Sequence, residues 1–414
     1  MKRAKIVCTV GPASGDRGTL EKLAEAGMNV ARINFSHGKP EEHAEVCRRV
    51  REISPRIAVM QDLQGPKIRV GEIEGGMELA RDSVVILTSG DPAGRCGVVH
   101  VDYPKLAEEV RPGNDIFLAD GIIHLTVDRI ERGDVFCRVV HGGTITSRKG
   151  VNLPGVSISA PALTEKDRED LDFGLRLGVD YIALSFVRKP DEVAGLRKMI
   201  EAAGSDAKIV VKIEKREAID DLEGILAATD AVMIARGDLG VEVPTEQVPV
   251  IQKEIIRKCL AAGKPVITAT QMLESMTTSE LPTRAEASDV ANAVFDGSDA
   301  LMLSAETATG KFPVETVSMM ARIIETAEEY ALGSTGGWFA ESGLSMPVSA
   351  VDSDTDAVAA GAVKIATEVE AGAIVVLTHS GRTARLIARR RPAVPVIALT
   401  DQEHVVSQLA LVWG

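Results

Sequence analysis

Short runs of apolar, often β-branched residues alternate with stretches of helical periodicity along most of the chain. Helical patterns such as 17–28 and 190–204 separate most of these runs. Eight strands that alternate with helices predict a parallel (β/α)8 barrel, and a doubly wound open sheet is the competing interpretation. The predicted strands are "KIVCTV" (5–10), "NVARINF" (29–35), "IAVMQDL" (57–63), "DYIALSFV" (180–187), "KIVVKIE" (208–214), "DAVMIAR" (230–236), "KPVITATQ" (264–271) and "DALMLSAE" (299–306).

Two intervals depart from this alternation. Between residues 71 and 149, short strands separated by Gly and Asp turns replace the helical periodicity, which predicts a small all-β domain inserted after the third barrel strand. The Gly/Ser-rich stretch "ALGSTGGWFAESG" predicts a linker, and the pattern after it predicts helix–strand–helix–strand–helix, a third α/β domain. The predicted domains are the barrel (1–70 and 150–332), the inserted domain (71–149) and the C-terminal domain (333–414).

Composition narrows the class of protein. The 414 residues are too many for one hydrophobic core, and 45% hydrophobic with 26% charged residues is typical of a soluble globular protein. A net charge of −13 without a long basic run argues against a nucleic-acid partner. No apolar run approaches the roughly 20 residues of a membrane span. The first apolar run stops at Gly11-Pro12, which argues against a signal peptide. Five scattered cysteines favour a reducing, cytoplasmic compartment.

The stretch "KIVVKIEK" (208–215) carries two charges on one face of an otherwise apolar strand. Strand alternation places Val210, Lys212 and Glu214 on the same side. An unpaired buried charge is costly, so Lys212 and Glu214 require partners or a chemical task.

Polar or charged side chains lie at the C-terminal ends of seven successive predicted strands. The active site of a (β/α)8 barrel lies at these ends. Each residue alone has a structural interpretation as a helix cap or a solvated side chain, but seven strand ends in succession favour an active site. The residues are Arg32, Asn34, Ser36, His37, Asp62, Ser185, Arg188, Lys212, Glu214, Arg236, Gly237, Asp238, Thr270, Gln271, Ser304 and Glu306.

The types of these residues indicate a chemistry. Glu214 and Asp238, from neighbouring strands, suit a hard divalent cation, with Mg²⁺ as first choice and Mn²⁺ as second, and no His/Cys cluster supports zinc. Lys212 could balance a developing oxyanion or a transferring phosphoryl group, and Arg32 could bind phosphate. With the Thr270 hydroxyl, this set suits phosphoryl transfer or enolate chemistry. No Walker A or G-x-G-x-x-G stretch is present.

Long, ordered stretches of the chain resemble the pyruvate kinase family over most of its length. The resemblance implies a TIM barrel with an inserted β-domain lid and a C-terminal α/β domain, usually in a homotetramer. It also implies transfer of the phosphoryl group of phosphoenolpyruvate to ADP, giving pyruvate and ATP. The stretches that carry it are "KIVCTVGPAS" (5–14), "ARINFSHG" (31–38), "GPKIR" (65–69), "KGVNLPG" (149–155), "LSFVRK" (184–189), "VKIE" (211–214), "IARGDLGVE" (234–242), "TATQMLESM" (268–276), "PTRAEASDVANAVFDGSDALMLSAETATGKFP" (282–313) and "THSGRTAR" (378–385).

The resemblance implies a role for each of five residues. Glu214 and Asp238 match the Mg²⁺ ligands, and Lys212 matches the lysine that stabilises the phosphoryl group in flight and the enolate left behind. Arg32 matches the phosphoryl-binding arginine. Thr270 matches the hydroxyl near the enolate carbon that is protonated.

Further positions are implied in the same way. The backbone around Gly237 and Asp238 would bind the substrate carboxylate, and His37 and Arg69 match positions near the nucleotide phosphates. The residues that match a monovalent-cation site are Asn34, Ser36 and Asp62.

One segment departs from the family pattern. The usual "DTKGPEIR" reads "DLQGPKIR" here, so that Leu63 replaces a cation-binding Thr and Lys67 replaces a Glu. A Lys at this position can supply a fixed ammonium where the family holds K⁺, and two neighbouring cations would repel each other. The substitution therefore predicts an enzyme that does not require K⁺; the alternative is that Lys67 points into solvent.

The segment "LTHSGRTARLIARR" predicts a second anion site. A strand ends there in a Ser-Gly turn that opens a helix, and the family uses this loop for phosphorylated effectors. An ordinary helix cap is the alternative. The candidate residues are Thr378, Ser380, Arg382 and Thr383.

Two other functions compete with phosphoryl transfer. A metal-dependent aldolase or lyase on a barrel also pairs Glu and Asp around Mg²⁺, but it needs neither the inserted lid nor the "TATQMLESM" stretch. A non-catalytic sensor of phosphometabolites would be expected to lack Lys212 or a metal-binding carboxylate, and both are present. The chain stops at "LALVWG", where the family continues through further strands.

Overall fold

The computed structural model describes residues 2–92, 95, 97–333, 338 and 354–414. Eight parallel strands close into a barrel in the order β1-β16-β15-β14-β13-β12-β3-β2, with elements numbered along the chain. The closed ring confirms the predicted (β/α)8 barrel over the open sheet. The barrel strands are β1 (Lys5–Val10), β2 (Val30–Asn34), β3 (Ala58–Asp62), β12 (Tyr181–Leu184), β13 (Lys208–Ile213), β14 (Ala231–Ala235), β15 (Val266–Ala269) and β16 (Ala300–Leu303).

Helices surround this ring, and several begin at a side-chain cap. Asp16, Thr164 and Thr283 each accept a hydrogen bond from the backbone N–H three residues on, which satisfies a donor that the first helical turn leaves free. Short 3-10 helices occupy 245–247 and 274–277. The α-helices are α1 (Arg17–Ala26), α2 (Pro40–Ile53), α4 (Glu165–Arg176), α5 (Pro190–Ala202), α6 (Arg216–Asp220), α7 (Leu222–Ala228), α8 (Arg236–Glu242), α9 (Val248–Ala262), α10 (Arg284–Phe295), α11 (Ala305–Ala308) and α12 (Pro313–Gly333).

Strand β13 shows how the two layers of the barrel core are built. Ile209, Val211 and Ile213 pack between the strands and the surrounding helices, whereas Val210 packs inside the ring. Lys212 follows Val210 on the inner face, so the side of β13 that is apolar in the barrel interior becomes charged at its C-terminal end. The predicted alternation is confirmed.

The insertion between β3 and β12 has a hydrophobic core of its own. Its six-stranded sheet has the order β11-β7-β8-β9-β5-β6, and β4 and β10 form a second, two-stranded sheet. A four-residue helix, α3 (Leu106–Glu109), interrupts the strands; it is too short to produce a helical period in the sequence. The strands are β4 (Met77–Leu79), β5 (Val84–Thr88), β6 (Val98–His100), β7 (Asp115–Leu118), β8 (Ile123–Glu131), β9 (Asp134–His141), β10 (Gly143–Ile145) and β11 (Val151–Asn152).

The C-terminal part has the predicted order helix–strand–helix–strand–helix, with β17 and β18 paired in parallel. Helix α12 continues to Gly333, so the first three residues of the predicted linker are helical, and the rest of that linker, apart from buried Trp338, lies outside the described residues. The domain boundaries stay a prediction. The elements are α13 (Asp354–Glu368), β17 (Ile374–Leu377), α14 (Arg382–Ala388), β18 (Val396–Leu399), α15 (Glu403–Gln408) and a 3-10 turn at 409–411.

Two further sequence predictions concern cysteines and membrane helices. Cys8, Cys47, Cys137 and Cys259 are buried free thiols, and Cys96 lies outside the described residues. Within the described part of the chain, no helix combines the length and apolar character needed to cross a bilayer.

Candidate active site

The ammonium of Lys212 lies among acidic and hydroxyl groups at the C-terminal mouth of the barrel. Its Nζ is 2.8 Å from Glu214 Oε1 and 3.4 Å from Asp62 Oδ1, and it donates a hydrogen bond of 2.8 Å to Ser185 Oγ. Burial alone would lower the pKa of Lys212, but the Asp62 and Glu214 carboxylates outweigh it and raise that pKa above its usual value. The lysine is therefore held positively charged.

Asp62 joins Lys212 to Arg32. Arg32 Nε donates to Asp62 Oδ2 at 2.6 Å and Nη1 donates to Thr9 Oγ1 at 2.8 Å, which leaves the other guanidinium N–H groups without a partner among the described residues. Burial works to raise the pKa of Asp62, but the charges of Arg32 and Lys212 hold it below its usual value. Asp62 thus lies ionised between Arg32 and Lys212, and Arg32 keeps guanidinium N–H groups that no described residue accepts.

Glu214 is the residue after the end of β13 and is 1% exposed. Its Oε2 accepts a hydrogen bond of 2.6 Å from the Phe186 N–H. Its Oε1 contacts only the Lys212 ammonium as an ion pair and has no hydrogen-bond partner among the described residues. Burial raises the pKa of Glu214 to about 7, the Lys212 charge opposes that shift and the Asp238 charge adds to it. One oxygen of this buried carboxylate is thus held by a backbone N–H and the other by the Lys212 ammonium.

The residues present fit a magnesium ion. Asp238 lies in the first turn of α8, directly after β14, the strand that pairs with β13, and its charge acts on both Lys212 and Glu214. The described residues contain no group of three or more His, Cys, Asp or Glu side chains that could hold a metal. Mg²⁺ is commonly held by only one or two carboxylates together with water and substrate oxygens, so the Glu214–Asp238 pair suits it.

Three residues at the mouth have left-handed backbone conformations. Phe186 (φ 54°), Thr270 (φ 72°) and Gln271 (φ 54°) follow the ends of β12 and β15. A β-branched residue such as Thr270 adopts this conformation at a cost of about 1–3 kcal/mol, which is typical of functional sites. In this conformation Thr270 Oγ1 accepts the Gly237 N–H at 2.8 Å and donates to the Ala269 carbonyl at 2.6 Å.

The monovalent-cation residues are partly brought together. Asn34 and Asp62 are register partners on β2 and β3, and Asn34 Oδ1 accepts the Ser36 N–H at 3.1 Å. Lys67 is half-buried rather than fully exposed and lines a cavity with Phe186 and Arg188. Among the described residues, no hydrogen bond or ion pair joins it to the other three.

The nucleotide and effector candidates are not among the described groups that contact Lys212. The His37 N–H donates to the Asn34 carbonyl at 3.3 Å, and Arg69 pairs with Gly150 where the insertion leaves the barrel. Thr378 and Ser380 lie in the loop between β17 and α14, and the other two effector candidates, Arg382 and Thr383, are the first two residues of α14. Helix α14 begins after Gly381 (φ 72°) without a side-chain cap, which does not favour the helix-cap alternative.

Some site residues were missed by the sequence analysis. Thr9 supports Arg32, and Asp289 accepts hydrogen bonds of 2.8 and 2.7 Å from the two terminal nitrogens of Arg236. Thr9 is a polar residue near the C-terminal end of β1, a signal that could have been used. Asp289 lies within α10, and nothing in its local sequence distinguishes it from a solvated helical acid.

Comparison with known proteins agrees with the fold and with this site. The family model described as pyruvate kinase, barrel domain, matches residues 1–317, and the model described as pyruvate kinase, alpha/beta domain, matches residues 356–414. A pyruvate kinase of Bacillus licheniformis is 46% identical over all of this chain and 71% of its own length. One from Agrobacterium vitis is 46% identical over all of this chain and 85% of its own length. A third, from Clostridium acetobutylicum, is 42% identical over all of this chain and 88% of its length.

These matches extend over both the barrel and the C-terminal part, and they include every residue of the charged mouth. The chain belongs to the pyruvate kinase family.

Proposed function

We propose that the barrel mouth transfers the phosphoryl group of phosphoenolpyruvate to ADP, giving pyruvate and ATP. Membership of the family makes the chain a phosphotransferase. The observation that carries the proposal is the position of the Lys212 ammonium, within 3.4 Å of both Asp62 and Glu214. A fixed positive charge in a site with little water stabilises the negative charge that develops when the phosphoryl group leaves.

Arg32 and Lys212 would bind the phosphoryl group from two sides. The Arg32 guanidinium is oriented by Asp62 and Thr9 through Nε and Nη1, and its remaining N–H groups are available to phosphate oxygens. The Lys212 ammonium is compact, and its partners hold it protonated. It can therefore stabilise negative charge first on the phosphoryl group and then on the enolate oxygen. Both groups are in place before substrate binds, which lowers the reorganisation needed during the reaction.

Glu214 and Asp238 would hold Mg²⁺, with Mn²⁺ as the alternative. When bound, the ion neutralises charge on the phosphoryl and enolate oxygens. The Phe186 N–H fixes the orientation of Glu214 through Oε2, and Oε1, which is paired with the Lys212 ammonium, would be the ligand. Phe186 donates this N–H from a left-handed backbone conformation (φ 54°).

The Thr270 hydroxyl would lie near the enolate carbon that is protonated. The backbone at Gly237 and Asp238 would bind the substrate carboxylate. The Gly237 N–H now donates to Thr270 Oγ1. A substrate carboxylate that accepts this N–H would free an acceptor position on Thr270 Oγ1, whose own proton is donated to the Ala269 carbonyl, so that the hydroxyl can take up one proton while it gives up another. The two roles are therefore linked through one hydrogen bond.

The remaining assignments rest on the family pattern. His37 and Arg69 would contact the phosphates of ADP and ATP, and the 378–383 loop would bind a phosphorylated effector. A homotetramer in the cytoplasm is the expected state. Lys67 would replace the positive charge that other family members obtain from K⁺, so that K⁺ is not required.

The test is ATP formation by the purified chain from phosphoenolpyruvate and ADP. We expect ATP in the presence of Mg²⁺ or Mn²⁺ and none after removal of divalent ions with EDTA. A chain that converts phosphoenolpyruvate without producing ATP would favour a lyase. A chain that binds phosphoenolpyruvate without turnover would favour a sensor.

A further inference from the structure

Residues 34–38, which we call the β2 loop, carry three of the candidate site residues, namely Asn34, Ser36 and His37. Two hydrogen bonds close this loop on itself. Asn34 Oδ1 accepts the Ser36 N–H at 3.1 Å, and the Asn34 carbonyl accepts the His37 N–H at 3.3 Å. Because both bonds lie within the loop, they fix its shape, and its position in the barrel depends on contacts with other elements.

Phe35 is the residue through which neighbouring elements contact the β2 loop. It is buried, its N–H donates to the Asp62 carbonyl at 3.0 Å, and its carbonyl accepts Lys166 Nζ of α4 at 2.9 Å. The centroid of its ring lies 4.3 Å from that of His43 on α2 and 6.5 Å from that of Phe173 on α4. Helices α2 and α4 therefore both hold the loop at Phe35.

The ring of His43 also lies against the far end of the β2 loop. A Cβ at Gly38 (φ 83°) would come within 2.8 Å of His43 Cε1, so the loop backbone and the imidazole are in close contact. Only glycine suits both this lack of room and the left-handed backbone. His43 is buried on the face of α2 that also buries Cys47 and Val50. The core beneath α2 therefore fixes the ring against which both ends of the loop pack.

His43 contacts the loop as a neutral imidazole. Burial is the largest influence on its pKa and lowers it below the usual value for histidine. The carboxylates of Asp170 and Glu42 and a hydrogen bond to the His37 backbone oppose this shift, and the Lys166 ammonium adds to it. A neutral ring can pack against an aromatic side chain and the loop backbone without burying an unpaired charge.

We propose that His43 is a positioning residue, which together with Lys166 holds the β2 loop where His37 can bind the phosphates of the nucleotide. The inference rests on the proposed nucleotide role of His37 and extends it to residues that do not touch the substrate. His37 lies between Phe35 and Gly38, the two points at which the His43 ring contacts the loop. A shift of the loop would therefore displace His37, and a misplacement of about 1 Å can cost on the order of a hundredfold.

The groups proposed to bind phosphoenolpyruvate are held by side chains of other strands. Arg32 donates to the side chains of Asp62 and Thr9, and Lys212 contacts Glu214. Loss of the His43 ring should therefore affect the binding of ADP more than that of phosphoenolpyruvate. A merely structural role for His43 predicts no such difference between the two substrates.

Steady-state kinetics and isothermal titration calorimetry with ADP, both on the full chain, test the proposal. In His43→Ala we expect the KM and the Kd for ADP to rise about tenfold or more, with less than about a twofold change in the KM for phosphoenolpyruvate. His43→Phe keeps an aromatic ring beside Phe35 and should restore most of the affinity for ADP. Lys166→Met removes the ammonium from the Phe35 carbonyl and should raise the KM for ADP in the same way.

Two matched controls separate positioning from general stability. Cys47→Ala removes a buried side chain one turn further along the same face of α2, and it should leave the KM for ADP unchanged. Lys198→Met removes one charge from an exposed lysine on α5 and should also have no effect. Thermal unfolding checks that each variant is folded.

Three results would overturn the proposal. They are an unchanged KM for ADP in a folded His43→Ala variant, an equal rise in Cys47→Ala, and an equal rise of the KM for both substrates. The side chain of Lys166 is largely exposed, so Lys166→Met carries the test if His43→Ala does not fold. A wild-type chain that forms no ATP would instead contradict the proposed function, and the calorimetric Kd for ADP would then still decide whether His43 positions the loop.

Discussion

At the scale of single residues, the four charged side chains of the barrel mouth stabilise one another in their ionised forms. They are Lys212, Asp62, Glu214 and Arg32. Each carboxylate alone would be costly to bury, and Lys212 alone would lose its proton more readily. Together they hold Lys212 charged while Glu214 Oε1 stays without a hydrogen bond. Glu214 Oε1 pairs with the Lys212 ammonium at 2.8 Å, and its second lone pair is what a metal ligand requires.

Removal of the Glu214 charge should weaken metal binding. Glu214→Gln keeps the size of the side chain and an oxygen for the Phe186 N–H, so the fold should persist. We expect the Kd for Mn²⁺ to rise at least about tenfold, because loss even of an outer-shell partner costs 10–100-fold. Electron paramagnetic resonance of free Mn²⁺ measures this value. Glu201→Gln on the exposed face of α5 is the control, and equal affinity in wild type and Glu214→Gln would remove Glu214 from the metal site.

Lys67 provides a second test at the same scale. If its ammonium replaces K⁺, steady-state rates should be equal in potassium chloride and in tetramethylammonium chloride at the same ionic strength. Lys67→Glu should lower the rate, because it places a negative charge where a positive one is used, and added K⁺ should restore it. A wild-type rate that rises many-fold with K⁺ would contradict this role.

At the scale of elements, β13 and α8 must keep a fixed spacing because Glu214 and Asp238 come from one each. A buried ion pair joins them beside the site: Lys215 Nζ lies 2.5 Å from Glu242 Oε1, and both side chains are almost fully enclosed. Lys215 follows Glu214 directly, and Glu242 is the last residue of α8. The pair therefore ties the end of β13 to the helix that carries Asp238.

Breaking this pair on one side should be strongly destabilising. Glu242→Ala leaves a buried, unpaired ammonium and should lower the free energy of unfolding by about 3–5 kcal/mol in denaturant titrations. The double replacement Lys215→Met with Glu242→Leu should recover most of that loss. Glu21→Ala, at the exposed Arg17–Glu21 pair, is the control and should change stability by about 0.5 kcal/mol or less. A similar small effect for Glu242→Ala would mean that the pair does not hold α8.

The same elements show what the sequence could and could not predict. The strands and the polar ends of β13 and β14 were found, because alternation and polarity are local properties of the chain. The left-handed turn at Thr270 and the Arg236–Asp289 contact were not found. The turn is imposed on a β-branched residue against its own preference, and the contact joins residues 53 positions apart. Long-range packing decides both.

At the scale of the whole molecule, buried carboxylates attach the C-terminal part to the barrel. Asp180 accepts the Val59 N–H at 2.6 Å and also contacts the Ser407 hydroxyl. Asp299 accepts Arg391 Nη1 at 3.0 Å and the Trp413 N–H at 3.3 Å. These contacts lie near the N-terminal ends of the barrel strands, away from Lys212 at the C-terminal end of β13. The contacts that attach the C-terminal part thus lie at the N-terminal ends of the barrel strands, and the proposed catalytic residues lie at the C-terminal ends.

The proposed phosphoryl transfer depends most on Lys212, and one measurement tests that role directly. Steady-state ATP formation from phosphoenolpyruvate and ADP, with saturating Mg²⁺, compares wild type, Lys212→Ala and the exposed-lysine control Lys198→Ala. Because Lys212 acts mainly on charge that develops in the transition state, kcat of Lys212→Ala should fall by several orders of magnitude, with a much smaller change in KM and none in the control. A Lys212→Ala variant that is folded and retains near-normal kcat would contradict the proposed role of Lys212 in phosphoryl transfer.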